Sequence, residues 1–150
     1  MSEIDYDDPK FEQNWCNEQR NIVAAYLLSQ KVVHGRIGDW PAWHVVPYVS
    51  IWAIESKARP EWIGWWVVSG DLPTDYISST DVKPSQHPRR AMQVFSQKWL
   101  ELVNAWKDGR EVEDMSIGDE NSREELIPLL EARSRLLMRF VEDDSYWGVD

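Results

Sequence analysis

Apolar side chains recur at helical spacing through the first part of the chain, over residues 11–32. The recurring positions are Trp15, Ile22, Tyr26 and Val33, with Val23 and Leu27 beside them. Proline is absent from residues 11–32, and Gly35 and Gly38 follow. The pattern predicts a helix that starts near Phe11 and ends near Val32.

Two later segments, residues 48–56 and 62–69, are rich in β-branched and aromatic side chains. The short connection between them predicts an antiparallel hairpin. Both faces of both strands are apolar. We therefore expect other parts of the chain to cover both faces, or to cover one face while a partner covers the other. Gly64 predicts a bulge or close ring packing. Residues 43–46 and 75–79 are candidates for further short strands, and Pro47 either breaks the first or places it at a sheet edge.

The pattern over residues 85–141 predicts two helices. In the first helix, Ser85 or His87 is the expected N-terminal cap before Pro88, and Gly109 is the expected C-terminal stop. Its apolar side chains repeat every three or four residues, at Ala91, Phe95, Trp99, Leu102 and Trp106. In the second, Ser122 and Glu125 fit a capping box, but Pro128 removes a hydrogen bond within the first turns. We therefore expect a short turn and then a helix over residues 127–141, with its apolar stripe at Leu130, Leu137 and Val141, widened by Leu129, Leu136 and Phe140.

These elements together predict an α+β fold. It has an N-terminal helix, a small antiparallel sheet of two to four strands, and two C-terminal helices packed on the sheet. We expect residues 1–10 to form a flexible acidic arm, residues 11–143 to form a single α+β domain, and residues 144–150 to form a tail.

The net charge of −10 is concentrated at the two ends of the chain, with −4 in residues 1–12 and −8 in residues 101–150, against +2 in residues 13–100. This charge argues against a nucleic-acid partner. No apolar run is long enough to cross a bilayer, so no membrane partner is expected. The first ten residues are acidic and hold no apolar h-region, and Cys16 is the one cysteine of the sequence, so we expect no secretory signal and a cytoplasmic protein. The acidic ends are either a solvated surface or a face for a basic partner.

Standard catalytic and nucleotide-binding motifs are absent from the sequence, so the candidate site rests on the turn after the second long strand. The turn holds two carboxylates, and a histidine and an arginine open the next helix. The candidate ligand-binding residues are Trp65, Trp66, Asp71, Asp75, His87 and Arg89. Asp71 and Asp75 would act as acid–base groups or polar anchors, His87 as proton carrier and Arg89 as anion holder. The alternative is ordinary turn and helix-cap chemistry.

Three other features carry weaker alternatives. His34, Asp39 and His44 do not fit a standard metal spacing, so we expect no metal ion and no cofactor. Cys16 is more consistent with a buried structural thiol than with a nucleophile. The ten tryptophans are expected mainly in the core, with an exposed cluster for protein binding as the alternative.

Three stretches carry a resemblance: WHVVPYVSIWAIES at 43–56, GWWVVSGDLPTDY at 64–76 and HPR at 87–89. With these, residues 11–108 resemble an uncharacterised family of small bacterial proteins, a domain of unknown function. The resemblance implies a bacterial cytosolic protein and implies no activity.

Three hypotheses about function remain open. The first is an acidic protein-binding or regulatory module, for example an immunity-like protein that neutralises a basic toxin. The second is an enzyme or small-ligand binder that uses the turn at 69–76 with His87 and Arg89. The third is a homo-oligomeric structural domain whose apolar second sheet face is buried against its own copy. The absence of motifs favours a partner protein, and possible self-association, over an enzyme.

Overall fold

A computed structural model describes residues 8–110 and 123–148, with the side chain of Arg123 excluded. The chain divides into two compact units, residues 1–76 and residues 77–150, and each is described by itself. The elements in chain order are α1 (Pro9–Ser29), β1 (Trp43–Val45), β2 (Val49–Glu55), β3 (Ile63–Gly70), β4 (Asp75–Ser78), α2 (Pro88–Lys107) and α3 (Arg123–Glu142). Short 3₁₀ helices span Ser79–Val82 and Asp144–Trp147. The fold is α+β, as the sequence predicts.

Helix α1 has a defined cap at each end. The Asp8 side chain accepts the backbone N–H of Lys10 at 2.9 Å, and Pro9 occupies the first helical position. At the other end Lys31 adopts a left-handed conformation, with φ of 58°. The N–H groups of Lys31 and Val32 then return to the carbonyls of Leu28 and Leu27. This Schellman turn ends the helix at Ser29, three residues before the predicted end. Residues 1–7 of the predicted arm lie outside the described residues.

The sheet is antiparallel with strand order β1-β2-β3-β4, so β1, which precedes Pro47, lies at an edge. The β2–β3 register pairs Ile54 with Trp65 and Glu55 with Ile63, which leaves Gly64 as an extra residue. This is the bulge that the sequence predicts. A Cβ atom at Gly64 would lie 2.9 Å from the Cα atom of Ser56, so only glycine fits there.

The core of the first unit lies between α1 and one face of the sheet. Its buried members are Val23, Leu27, Ile37, Trp52, Ile54 and Val67. Two serines lie opposite one another on the same face, because Ser50 pairs with Ser69 in the register. Their hydroxyl oxygens are 2.7 Å apart, and the Trp52 indole donates to the Ser50 hydroxyl at 2.9 Å. These buried polar groups therefore satisfy one another.

The second face of the sheet is also buried. Val49, Ile51, Trp66 and Val68 lie on it, and each is almost completely inaccessible. The hypothesis of a homo-oligomer was based on an uncovered apolar second face, and that basis is lost. The oligomeric state itself stays a prediction.

In the second unit, α2 packs against α3. His87 caps α2 with its side chain, Pro88 is the first helical residue, and Gly109 follows the helix in a left-handed conformation, all as predicted. The predicted α2 stripe is buried along its whole length. The buried Ser96 hydroxyl donates to the Ser134 carbonyl at 2.8 Å and joins the two helices.

The predicted start of α3 was wrong. We expected a turn before residue 127, but the helix is continuous from Arg123 and holds Pro128 inside it. Pro128 costs the one hydrogen bond to the carbonyl of Glu124, near the helix start, and the buried Leu130 and Leu137 stabilise the remaining turns. Leu129, expected to widen the stripe, is exposed. Ser122 of the predicted capping box lies outside the described residues.

No helix among the described residues is both long enough and apolar enough to span a membrane.

Candidate functional site

The turn after β3 places its two carboxylates in different surroundings. Asp71 is exposed, and its backbone N–H donates to the Tyr48 carbonyl at 2.9 Å. Asp75 is fully buried, and its carboxylate accepts the backbone N–H of Tyr76 at 2.8 Å. The Tyr26 hydroxyl of α1 lies 3.5 Å from the same oxygen. Asp75 therefore anchors the start of β4 to α1, which is the structural alternative that the sequence left open.

The two predicted tryptophan walls lie on opposite faces of β3, because consecutive strand residues alternate. Trp66 is 1% exposed and belongs to the core. Trp65 is partly exposed, donates its indole N–H to the Val33 carbonyl at 3.2 Å, and meets the Tyr76 ring edge-on at 5.7 Å. Of the two, only Trp65 is accessible to a ligand.

His87 and Arg89 open α2 in the second unit, and both are engaged in structural contacts. The His87 Nδ1 atom accepts the backbone N–H of Arg89 at 3.1 Å. The Arg89 guanidinium donates from Nε to the Val141 carbonyl at 2.8 Å and pairs with Asp144 at 2.6 Å. The same guanidinium lies 5.7 Å from the Trp147 ring centre. Arg89 therefore ties the start of α2 to the end of α3.

A cleft of about 450 Å³ lies beside these residues, within the second unit. It is lined by Ser85, His87, Arg89, Arg90, Gln93, Val141 and Glu142. Arg90 donates to the side chain of Gln93 at 2.7 Å. The sequence pointed to His87 and Arg89, but the cleft wall formed by the end of α3 was not predicted.

Asp71 and Asp75 belong to the first unit, whereas His87 and Arg89 belong to the second. The predicted grouping of these four residues into one site stays a prediction. Within its own unit, Asp75 is hydrogen-bonded at the start of β4. Arg89 likewise contacts Val141 and Asp144 within its own unit.

The hairpin connection between β2 and β3 holds an exposed aromatic residue that the candidate list did not include. Trp62 is 60% exposed, and the Arg59 guanidinium lies over its ring, 4.0 Å from the centre. The run of apolar residues over 62–69 predicts that Trp62 lies inside the strand and is covered. The strand begins one residue later, at Ile63. We call residues 57–62 together with Arg36 the hairpin tip.

The hairpin tip is held by backbone hydrogen bonds. The Ser56 N–H donates to the Trp62 carbonyl at 2.8 Å, and the Trp62 N–H donates to the Arg59 carbonyl at 3.1 Å. The Ser56 hydroxyl accepts the Arg59 N–H at 3.1 Å. Glu61 completes the turn in a left-handed conformation, with φ of 74°. These contacts fix the backbone that carries Arg59 and Trp62.

Glu55, at the end of β2, joins the hairpin to the loop before β1. One carboxylate oxygen accepts the N–H of Arg36 and the other accepts the N–H of Glu61, each at 3.0 Å. These backbone bonds lower the pKa of the Glu55 carboxyl below its ordinary value, with a smaller contribution from the charge of Arg36. The carboxylate therefore stays ionised and holds two loops together at neutral pH.

His44, a weaker metal candidate, is held by aromatic rings and one acid. Its Nε2 atom lies 3.5 Å from the Glu12 carboxylate. The ring stacks near Trp15 at 6.4 Å and meets Trp40 edge-on at 5.3 Å. Within residues 8–110 and 123–148, no cluster of three metal-ligating side chains occurs.

Cys16 is completely buried in α1. Burial, together with the nearby charge of Glu12, raises the pKa of its thiol to about 11. The thiolate that would act as a nucleophile is therefore scarce near neutral pH, as expected for a structural cysteine.

The fold defines a small α+β protein with a four-stranded antiparallel sheet. The chain belongs to the family described as Domain of unknown function (DUF4826), whose model matches residues 9–147. The match extends beyond residue 108, where the sequence resemblance ended, and includes α3. We found no curated protein and no solved structure that matches this chain.

Proposed function

We propose that the protein is a protein-binding module and that its hairpin tip contacts the partner. The observation that carries the proposal is the exposed Trp62 ring, paired with Arg59 on a turn of fixed backbone. Tryptophan and arginine are the residue types most enriched at the energetic centres of protein interfaces. A large aromatic ring left in water is stabilised when a partner covers it.

The rigidity of the hairpin tip supports the same proposal. Association costs free energy whenever side chains and loops must be ordered. Here Glu55 accepts the N–H groups of Arg36 and Glu61. Ser56 donates its N–H to the Trp62 carbonyl and accepts the Arg59 N–H with its hydroxyl. The binding surface is therefore ordered before a partner arrives, which reduces that cost.

The charges of the hairpin tip favour a partner that presents carboxylates there. Arg36, Lys57 and Arg59 of the hairpin tip are exposed, and the neighbouring acids are Glu55 and Glu61. Three cations against two acids leave a small net positive charge, and both carboxylate oxygens of Glu55 are turned to backbone N–H groups rather than to a partner. Complementary charge of this kind raises the rate and the specificity of association.

The general binding hypothesis also includes a basic partner, such as a toxin neutralised by an immunity protein. Such a partner would meet the acidic residues of 101–150 rather than the hairpin tip. We place the protein in the cytoplasm of a bacterium on the basis of its sequence, and the proposed partner is a protein of that compartment.

The test is affinity capture from a lysate of the native cells, followed by binding measurements with the purified partner. Wild type, Trp62→Ser and Arg59→Ser are compared with Leu28→Ser, which removes an even more exposed apolar side chain elsewhere in the first unit. We expect Trp62→Ser to weaken binding at least about tenfold and Leu28→Ser to leave it unchanged. Capture that is equal for all four proteins would contradict the proposal, as would the absence of any partner at ordinary salt.

A further inference from the structure

We propose that the cleft between the start of α2 and the end of α3 binds a small zwitterion of amino-acid type. The carboxylate of the ligand is held by Arg90 and His87, and its ammonium group is held by Glu142. This site lies in the second unit and is independent of the hairpin tip. Its volume of about 450 Å³ falls within the range of small-molecule sites.

Arg90 supplies the cation. Among the residues that the structure describes, Gln93 is the one hydrogen-bond partner of its guanidinium, through Nη1. Nε and Nη2 therefore keep donors for a ligand, and a guanidinium binds a carboxylate with two parallel bonds. Arg89 differs, because the Val141 carbonyl and Asp144 already occupy its guanidinium.

His87 supplies a second donor, and its tautomer follows from the helix cap. Its Nδ1 atom accepts the backbone N–H of Arg89, so in the neutral ring the proton is on Nε2. The imidazole is exposed at the cleft, and its Nε2–H can donate one hydrogen bond to a ligand. The cap also occupies the first N–H of the helix, so the proposed recognition depends on side chains rather than on the helix end.

Glu142 distinguishes a zwitterion from a simple anion. It lines the same cleft and, within the described residues, has no ion-pair partner. A dianion such as phosphate would be repelled by this carboxylate, whereas an ammonium group would pair with it. Opposite charges in one cleft therefore favour a ligand that carries both charges.

The experiment titrates the full-length protein with L-alanine, propionate and inorganic phosphate while the Arg90 and His87 side-chain resonances are followed by NMR. Propionate keeps the carboxylate of alanine and lacks its ammonium group. We expect alanine to bind most tightly, and we expect Arg90→Gln to weaken it at least about tenfold. Glu142→Gln is expected to abolish the preference for alanine over propionate.

The matched control is Arg135→Gln, which removes an arginine of α3 that does not line this cleft. Arg90→Lys keeps the charge but loses the two-pronged geometry, so its affinity should lie between those of wild type and Arg90→Gln. Circular dichroism confirms that each variant is folded. The proposal is wrong if alanine shifts neither resonance, if Arg90→Gln binds like wild type, or if propionate or phosphate binds as tightly as alanine.

Discussion

The carboxylate of Glu55 accepts the backbone N–H of Glu61 at a distance of 3.0 Å, so one acidic residue fixes the position of another. Glu61 has a left-handed backbone and lies just before Trp62. The second oxygen of Glu55 holds the N–H of Arg36, which is distant in sequence. A single ionised side chain therefore connects two loops of the first unit, and its protonation should be visible in stability.

We predict that Glu55→Gln destabilises the protein at pH 7 and that the difference from wild type shrinks in acid. The folded pKa of Glu55 is lowered, so its stabilisation is fully present above the ordinary value of 4.5 and is lost as pH falls through the folded pKa. Urea denaturation of both proteins between pH 7 and acid checks this. A difference that stays constant with pH would show that the ionised form is not required.

Lys31 follows α1 in a left-handed conformation, and Gly109 occupies the equivalent position after the end of α2. A side chain at this position costs about 1 kcal/mol relative to glycine. We predict that Lys31→Gly raises the free energy of unfolding by about 1 kcal/mol. Gly109→Ala should lower it by a similar amount, because a Cβ atom there meets no neighbour and only the backbone is strained.

Denaturant unfolding measures both changes. Lys31→Ala is the control, since alanine keeps the Cβ atom and should leave stability within about 0.5 kcal/mol of wild type. Equal stability of Lys31→Ala and Lys31→Gly would mean that the left-handed backbone carries no cost at this site.

Gly70, at the end of β3, is predicted to tolerate no side chain. Its φ is 137°, and a Cβ atom would lie 2.3 Å from the Tyr48 carbonyl oxygen. Gly70→Ala should therefore cost about 3 kcal/mol or more. Gly38→Ala is the matched control, because its Cβ would lie 3.8 Å from the nearest atom and should cost less than about 1 kcal/mol. Thermal unfolding of the two variants decides the matter, and similar melting temperatures would contradict it.

Cys16 is predicted to resist thiol reagents in the folded protein. With a pKa of about 11, the thiol is almost entirely protonated at pH 8, and the buried sulfur is also inaccessible. A disulfide reagent should react rapidly in denaturant and only as fast as the protein unfolds without it. Rapid native modification at pH 8 would place Cys16 in an accessible, activated environment instead.

The sequence by itself determined the fold class and the order of the main helices and strands, although not all of their ends. The Ala91, Phe95 and Trp99 stripe predicts α2, and the β-branched runs predict β2 and β3, because the period of apolar residues is a local property. The cap at His87 and the bulge at Gly64 were also predictable, since each depends on the chemistry of one residue in its immediate surroundings.

Only the tertiary structure decided how particular side chains are used. Lys31 was not identifiable as a helix stop, because a non-glycine residue adopts the left-handed conformation only where surrounding contacts compensate. Pro128 was expected to delay α3, but buried leucines further along the helix outweigh one missing bond. The burial of Asp75 beside Tyr26 depends on a contact between residues far apart in sequence.

The hairpin tip and the cleft were hidden for the same reason. The Glu55 contact with Arg36 and the cleft wall formed by Val141 and Glu142 arise from long-range packing. A local pattern shows which side of an element is apolar, whereas the position of a polar atom depends on every element packed around it. Secondary structure was therefore predictable from the sequence, and the candidate binding surfaces required the folded chain.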